Sequence, residues 1–154
     1  MLKDQRDLLL AFNAHNVRYL VIGGYAYSHY TEPRATKDLD VFVDPSPENA
    51  ALVFESLAHF GAPLGGMTAK DFQDGESWFQ IGVALSRIDI IQRIDAVDFD
   101  TAWKSSEPGM ASDDIPVRYR RSDPKQISGW PSVGPRGCRR PQSSDSGNLQ
   151  TDRA

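Results

Sequence analysis

Three aspartates in apolar surroundings are the residues of this chain best suited to chemistry. Asp38 and Asp40 stand two positions apart at the start of an apolar stretch, and Asp89 stands between Ile88 and Ile90. Residues i and i+2 of an extended chain project from one face, so the first two Cα atoms are expected to lie roughly 6–7 Å apart. Carboxylate oxygens in that arrangement suit a hard cation, above all Mg²⁺. The pattern therefore predicts a carboxylate site for a divalent metal.

Asp89 is the most informative of the three because the run around it, Arg87–Ile91, is largely apolar. This run and Trp78–Val83 are predicted to form two strands joined by a tight turn at 84–86. A carboxylate in an apolar strand costs free energy unless it is paired, hydrogen-bonded or bound to a metal. The alternative is an exposed aspartate on an edge strand.

A glycine pair precedes the first two aspartates. Gly23 and Gly24 follow the apolar run Tyr19–Ile22, which predicts a buried strand, and they precede Tyr25–Tyr30, which predicts a short helix. Glycine lets the backbone turn sharply and approach a ligand, because no Cβ intrudes. The free amides and the dipole at the start of a helix favour an anion. A phosphate group is therefore expected beside the metal.

A basic and polar connector, with Arg34, Thr36 and Lys37, links the short helix to the aspartates. Pro33 bars a regular helix and places Arg34 close to them. The Arg34 guanidinium suits a bidentate contact with a triphosphate, and the Lys37 ammonium group suits a contact as a single point charge. Solvated loop charges are the alternative. Tyr25 likewise either contacts a nucleotide or packs as part of an amphipathic helix.

These features together resemble the nucleotidyltransferase superfamily, whose pattern is a strand, Gly-Gly or Gly-Ser, a short helix, and Asp-x-Asp on the next strand. The chain is most similar to a small bacterial branch of minimal nucleotidyltransferases and abortive-infection type II toxins. The likeness extends from about Leu8 to Tyr119. The motifs that carry it are Gly23-Gly24-Tyr25-Ala26 and Arg34-x-Thr36-x-Asp38-x-Asp40.

The resemblance implies an α/β (α+β) fold, with a mixed β-sheet flanked by helices. It implies that Asp38, Asp40 and Asp89 are catalytic and bind two Mg²⁺ ions. The reaction would transfer an NMP from an NTP to a hydroxyl of a protein or an RNA, within a toxin–antitoxin type system that supplies a cognate partner. The nucleotide-binding residues would be Gly23, Gly24, Tyr25, Arg34, Thr36 and Lys37.

Two other functions stay open. A non-catalytic antitoxin or partner-binding protein could keep the fold as a surface, and a truncated remnant could keep it without activity. The presence of all three carboxylates favours the enzyme.

The composition bounds the class of protein. With 40% hydrophobic and 25% charged residues and a net charge of −4, the chain has no overall basic field for nucleic acid, although a local basic face is open. The single cysteine, Cys138, cannot form an internal disulfide, which fits a reducing compartment. The charged start is unlike a signal peptide, and no apolar run approaches the roughly 20 residues that span a bilayer. We expect a cytoplasmic protein without a membrane segment.

The remaining elements follow from local patterns. Apolar residues at helical spacing predict two longer helices, the second with a serine cap, a proline at its first position and a terminal glycine. Pro116 predicts that the last strand lies at an edge, or where no amide hydrogen is required. The predicted elements are a helix at Asp4–His15, a helix at Pro47–Phe60, a short helix within Asp95–Trp103 and a strand at Ile115–Tyr119.

The composition changes at Arg120. We expect one domain at 1–119 and an irregular tail at 120–154, because glycine, proline, serine and arginine dominate there and little apolar surface offsets the entropy of ordering. Proteins of the resembled superfamily continue instead into a lysine-bearing helix and a Gly-Arg-Pro loop. Codons can be chosen for Asp123 to Gln142 so that the adjacent frame encodes such a peptide. A frameshift near Arg120 is therefore our hypothesis, which sequencing the gene tests.

Overall fold

A mixed β-sheet forms the centre of the computed structural model, which describes residues 1–32, 35–83, 86–112 and 114–121. The predicted α/β fold is confirmed. The helices are α1 (Lys3–Ala14), α2 (Gly23–Tyr30), α3 (Pro47–Phe60) and α4 (Phe99–Ser105), with a 3₁₀ turn at Ala69–Phe72. The strands are β1 (Tyr19–Ile22), β2 (Leu39–Val43), β3 (Trp78–Val83), β4 (Ser86–Ile91), β5 (Glu107–Ala111) and β6 (Ile115–Tyr119).

Within the described residues, the six strands are arranged in the order β3-β4-β2-β1-β6-β5. Strand β2 runs antiparallel to β1 and parallel to β4. Because β2 and β4 run in the same direction, they begin at the same edge of the sheet. Side chains near the starts of both strands are thereby brought together.

Alternation along the strands separates two packed faces. One face packs against α1 and α3 in a large apolar cluster that includes Val21, Val41 and Ile90. The other face packs Phe42 and its neighbours against α4. In β2 and β4 the polar residues near the strand starts alternate with the large cluster, so they lie on the α4 face.

The predicted boundaries of α3 are confirmed, with the expected caps. The Ser46 hydroxyl accepts a hydrogen bond from the Asn49 amide at 3.4 Å, and Pro47 opens the helix. Gly61 ends it in the left-handed region, at φ 84°. Local chemistry thus sets both ends of this helix.

The predicted start of the short helix was wrong. Helix α2 begins at Gly23, not at Tyr25. Ile22 is still extended and Gly23 turns the chain by itself at φ +65°, so no separate linker is needed. The glycine pair therefore forms part of the first helical turn.

Of the two positions predicted for the last strand, the edge position is not the one observed. Strand β6 lies between β1 and β5, and β5 is the outer strand. In the described register, β6 meets β1 only where Tyr119 pairs with Val21, so Pro116 has no partner on β1. The proline is thereby accommodated away from the edge, as the second alternative allowed.

The segment between α3 and β3 packs on the face opposite the polar strand starts. Phe72 is fully buried in the large cluster and contacts Phe79 edge to face. This segment therefore does not cover the polar end of the sheet. Of the helices in the described ranges, none is long and apolar enough to cross a membrane.

Candidate active site

Asp40 and Asp89 are direct neighbours across β2 and β4. The register pairs Asp40 with Asp89 on one side and with Ile22 of β1 on the other. Neighbouring strands lie about 4.8 Å apart, so two carboxylates on the same face at paired positions interact strongly. Two candidate residues that are distant in sequence are thus brought together.

Gly23 makes room for the Asp40 carboxylate. A Cβ at Gly23 would lie 2.1 Å from Asp40 Oδ2, which no side chain permits. The backbone at Gly23 is also in the left-handed region, at φ +65°, which L side chains rarely adopt. The start of α2 and the carboxylate therefore pack in direct contact because this residue is glycine.

Gly24 and Thr36 form a second close contact. A Cβ at Gly24 would lie 2.7 Å from Thr36 Oγ1. That hydroxyl donates a hydrogen bond to the Asp38 carbonyl at 3.2 Å. Thr36 thus fastens the connector against the start of α2 and fixes the backbone beside Asp38.

Asp38 lies just before β2 and is held by Arg87. The Arg87 amide donates to Asp38 Oδ1 at 3.3 Å, and an Nη atom of the guanidinium donates to Oδ2 at 3.2 Å. Arg87 and Asp89 are two apart on β4 and share a face with Asp40. This arginine was not predicted as a site residue, although Arg-x-Asp on a predicted strand was a signal that could have revealed it.

Asp89 is held by a partner on β3. The Gln80 amide nitrogen donates to Asp89 Oδ1 at 2.8 Å, and the two residues are a register pair. Strand β4 lies between β2 and β3, so Asp89 is not on an edge strand. Gln80 is a second site residue that the sequence analysis missed, because its role depends on the register between strands.

Burial and nearby negative charge make Asp40 and Asp89 harder to ionise. Burial raises the pKa of Asp40 to about 7, and the charges of Asp89 and Asp38 add to this, while Arg87 opposes it. Burial also raises the pKa of Asp89, which the hydrogen bond from Gln80 and the charge of Arg87 partly offset. Hydrogen bonding to Asp38 raises the pKa of Arg87, which stays charged. Negative charge is therefore crowded at this end of the sheet.

A buried glutamine, Gln5 of α1, ties the surrounding segments together. Its Nε2 donates to the carbonyls of Lys37 at 2.7 Å and Arg87 at 3.4 Å. Its Oε1 accepts from the Tyr25 hydroxyl at 3.0 Å. Gln5 thereby holds the connector and the start of β4 in position, and it was also missed from sequence.

Only some of the predicted nucleotide-binding residues lie beside the aspartates. Gly23, Gly24 and Thr36 adjoin the aspartates through the contacts above. The Tyr25 ring packs against the large cluster and its hydroxyl is taken by Gln5. The Lys37 side chain is exposed. Arg34 lies outside the described residues, as do Cys138 and most of the predicted tail.

The fit of the site to a metal is set by what each carboxylate contacts. No three His, Cys, Asp or Glu side chains in the described residues form a group arranged to hold a metal ion. Asp38 is engaged by Arg87, whereas Asp40 and Asp89 are neighbours whose raised pKa values reflect burial and crowded charge. Oxygen donors and uncompensated negative charge suit a hard divalent cation. Asp40 and Asp89 thus fit such an ion, whereas Asp38 is occupied by Arg87.

A separate cleft of about 610 Å³ lies between α1 and α3. Its lining includes His15 and His59, whose ring nitrogens approach to 2.9 Å. Asp38, Asp40 and Asp89 do not line it. The cleft is therefore distinct from the carboxylate site.

Comparison with known proteins bears on the fold alone. No protein-family profile and no curated protein matches the sequence. The structure is similar to that of a proposed nucleotidyltransferase from Thermotoga maritima, with a TM-score of 0.49 and 15% identity, covering 77% of this chain and 80% of that chain.

Proposed function

We propose that this protein is a Mg²⁺-dependent nucleotidyltransferase that transfers an NMP from an NTP to a hydroxyl acceptor. The observation that supports it most is the pairing of Asp40 with Asp89 across parallel strands, with Gly23 packed against Asp40. Carboxylates are thereby placed beside a helix start suited to phosphate. Nucleotidyl transfer needs this combination, since it depends on positioning and charge compensation.

The start of α2 would bind the triphosphate. Ile22, at the N-cap position, has no side-chain oxygen that could accept from the first-turn amides. Those amides and the helix dipole favour an anion, and the glycine pair lets phosphate oxygens approach the backbone. Gly23 and Gly24 would thus bind phosphate, with Thr36 fixing the connector beside them.

Asp40 and Asp89 would hold the metal, joined by Asp38. When bound, two Mg²⁺ ions would supply charge neutralisation of the triphosphate and of the pyrophosphate leaving group, and activation of the acceptor hydroxyl. The ligands are hard oxygens, and a cation would relieve the repulsion that burial intensifies.

Asp89 would accept the proton of the acceptor hydroxyl. The acceptor oxygen forms a bond to the α-phosphorus, the bond from that phosphorus to the pyrophosphate oxygen breaks, and pyrophosphate leaves. A carboxylate within hydrogen-bonding reach of a hydroxyl can act as its general base, which suits this role. Gln80 would keep the carboxylate oriented for the transfer.

The acceptor is proposed as a hydroxyl of a protein or an RNA, within a toxin–antitoxin type system that includes a cognate partner. This part follows the sequence resemblance and not the site geometry, because fold and metal site do not specify the acceptor.

Label transfer tests the proposal. Purified protein would be incubated with each α-³²P-labelled NTP, Mg²⁺ and a cell extract, beside the Asp40→Asn and Asp89→Asn variants. Asp95→Asn is the matched control, because that side chain is 98% exposed and lies in the loop after β4. We expect labelled acceptor with the wild type and the control, and none with the two site variants.

Thermal unfolding separates the alternatives. A ligand that binds only the folded form raises the melting temperature. A rise with Mg²⁺ and NTP but no label transfer would support a nucleotide-binding partner protein. No rise with any NTP would contradict a nucleotide site and favour an inactive remnant.

A further inference from the structure

The ion pair of Arg87 and Asp38 occupies a carboxylate that the proposed reaction needs. Arg87 bonds both oxygens of Asp38, one through its backbone amide and one through its guanidinium. A cation at Asp38 and the guanidinium at Asp38 would repel each other at such short range. The two positive charges therefore compete for this carboxylate.

The exposure of the Arg87–Asp38 ion pair to water favours its release. The side chains of Arg87 and Asp38 are 40% and 33% exposed. Ion pairs with this much access to water add little to folding stability. Releasing Arg87 from Asp38 thus costs little, provided that the guanidinium finds another anion.

The guanidinium also has an unused donor. Arg87 Nε is shielded from water and has no hydrogen-bond partner among the described residues. Shielded donors of this kind are uncommon in folded proteins and call for an explanation. An arginine can direct Nε and an Nη atom at two oxygens of one phosphate. The Asp38 contact uses an Nη atom and leaves Nε free for such a ligand.

We propose that Arg87 is an exchangeable counter-ion, which neutralises Asp38 in the absence of nucleotide and moves to the triphosphate when Mg²⁺ and NTP enter. This inference rests on the proposed function and adds a phosphate-binding residue to it. The ligand that drives the exchange is a metal-bound polyphosphate, whatever its base. Arg87 then couples metal binding to phosphate binding, since metal alone must displace it without offering it a new partner.

Two binding measurements on the same variants test the proposal. Mn²⁺ serves as the metal probe, titrated alone by calorimetry, and Mg²⁺-tripolyphosphate serves as the base-independent phosphate probe. In Arg87→Gln we expect Mn²⁺ alone to bind several-fold more tightly, because Asp38 is freed. We expect tripolyphosphate to bind about tenfold or more weakly, because a charge-assisted contact is lost.

Two further variants serve as controls. Arg87→Lys keeps the charge without the fork, so both affinities should lie between those of the wild type and Arg87→Gln. Arg93→Gln removes an arginine that pairs with Asp95 in the loop after β4. It should leave both affinities unchanged.

A merely structural role for Arg87 predicts a different result. If Arg87→Gln weakens both ligands together, or changes neither, the exchange is refuted. If that variant does not fold, the wild type still tests the exchange. The ¹⁵Nε–H signal of Arg87 should shift on addition of Mg²⁺-tripolyphosphate and should not shift on addition of buffer alone. An unmoved signal at saturating ligand also refutes it.

Failure of the Arg87 exchange can be distinguished from failure of the proposed enzyme function. If the wild type transfers label and Asp40→Asn does not, yet Arg87→Gln binds both probes like the wild type, only the exchange fails. If the wild type transfers no label, the enzyme assignment fails, and the opposite changes in Mn²⁺ and tripolyphosphate affinity still test the exchange.

Discussion

Asp40 and Asp89 face each other across two parallel strands, although 48 residues separate them in the chain. In its own strand, each aspartate is next to a fully buried apolar residue whose side chain faces the other side of the sheet. The fold thus holds two partly buried carboxylates together, and burial raises the pKa of both. A cation is the natural partner for such a pair.

Replacing Asp40 with asparagine should stabilise the protein at neutral pH. The folded-state pKa of about 7 lies above the ordinary value of 3.8, so the folded form holds the proton more tightly than the unfolded chain. The stabilising contribution of this proton is complete below about pH 4 and is lost as the pH rises through about 7. Asp40→Asn escapes this loss, and we expect it to gain roughly 2–4 kcal/mol relative to the wild type at pH 8.

Urea denaturation in metal-free buffer at pH 5 and pH 8 measures this difference. The gap between Asp40→Asn and the wild type should widen with pH, whereas Asp95→Asn should follow the wild type. A gap that narrows from pH 5 to pH 8 would mean that Asp40 ionises easily in the folded state.

Replacing Gly23 with alanine should abolish phosphate binding. The new methyl group would collide with the Asp40 carboxylate in a backbone conformation that already disfavours side chains. Gly61→Ala is the matched control, because Gly61 also has positive φ, at +84°, but no atom lies within 4 Å of its Cβ position. We expect Gly61→Ala to cost about 1 kcal/mol of stability and to bind Mg²⁺-tripolyphosphate normally.

Calorimetric titration of both glycine variants with Mg²⁺-tripolyphosphate tests this prediction. Normal tripolyphosphate binding by Gly23→Ala would show that the contact with Asp40 is dispensable.

Replacing Gln5 with leucine should loosen the site from a distance. The change leaves the Lys37 carbonyl and the Tyr25 hydroxyl without their buried partner, which costs roughly 1–3 kcal/mol. The start of β4 also loses its tie to α1. We expect KM for the NTP to rise more than kcat falls, because the chemistry-bearing side chains remain.

Tyr25→Phe removes only one of these hydrogen bonds and should have the smaller effect on both stability and KM. Equal effects from the two variants would show that Gln5 does not position the connector.

Replacing Gln80 with methionine should shift the pH profile of the reaction. The hydrogen bond from Gln80 lowers the pKa of Asp89, so its loss should raise that pKa. If Asp89 accepts the acceptor proton, the acidic limb of kcat/KM must move to higher pH. Gln73→Met, in the segment packed on the other face, should leave the limb in place. A limb that does not move in Gln80→Met would assign the proton transfer to another group.

The parts of the fold that were predictable depend on neighbours in sequence. Strands β1 and β3 and helix α3 follow from apolar runs, spacing and caps, and their predicted bounds match. Strand β5 was missed because its sequence includes Pro108 and Gly109, which are uncommon in strands, and it forms by pairing with β6.

The site was predictable only as far as residue type allows. A carboxylate in an apolar strand and a glycine pair before a helix are visible in the sequence, so the aspartates and glycines could be named as candidates. The partners of those aspartates were not, because Arg87 and Gln80 acquire their contacts from strand register, and Gln5 from helix packing 32 residues away from Lys37.

The most direct test of the account is to locate the metal by anomalous diffraction from crystals grown with Mn²⁺ and a non-hydrolysable NTP analogue. We predict an anomalous peak between Asp40 and Asp89, with the analogue's phosphates at the start of α2. A fully occupied analogue with no manganese at these two carboxylates, or manganese bound elsewhere, would contradict the account.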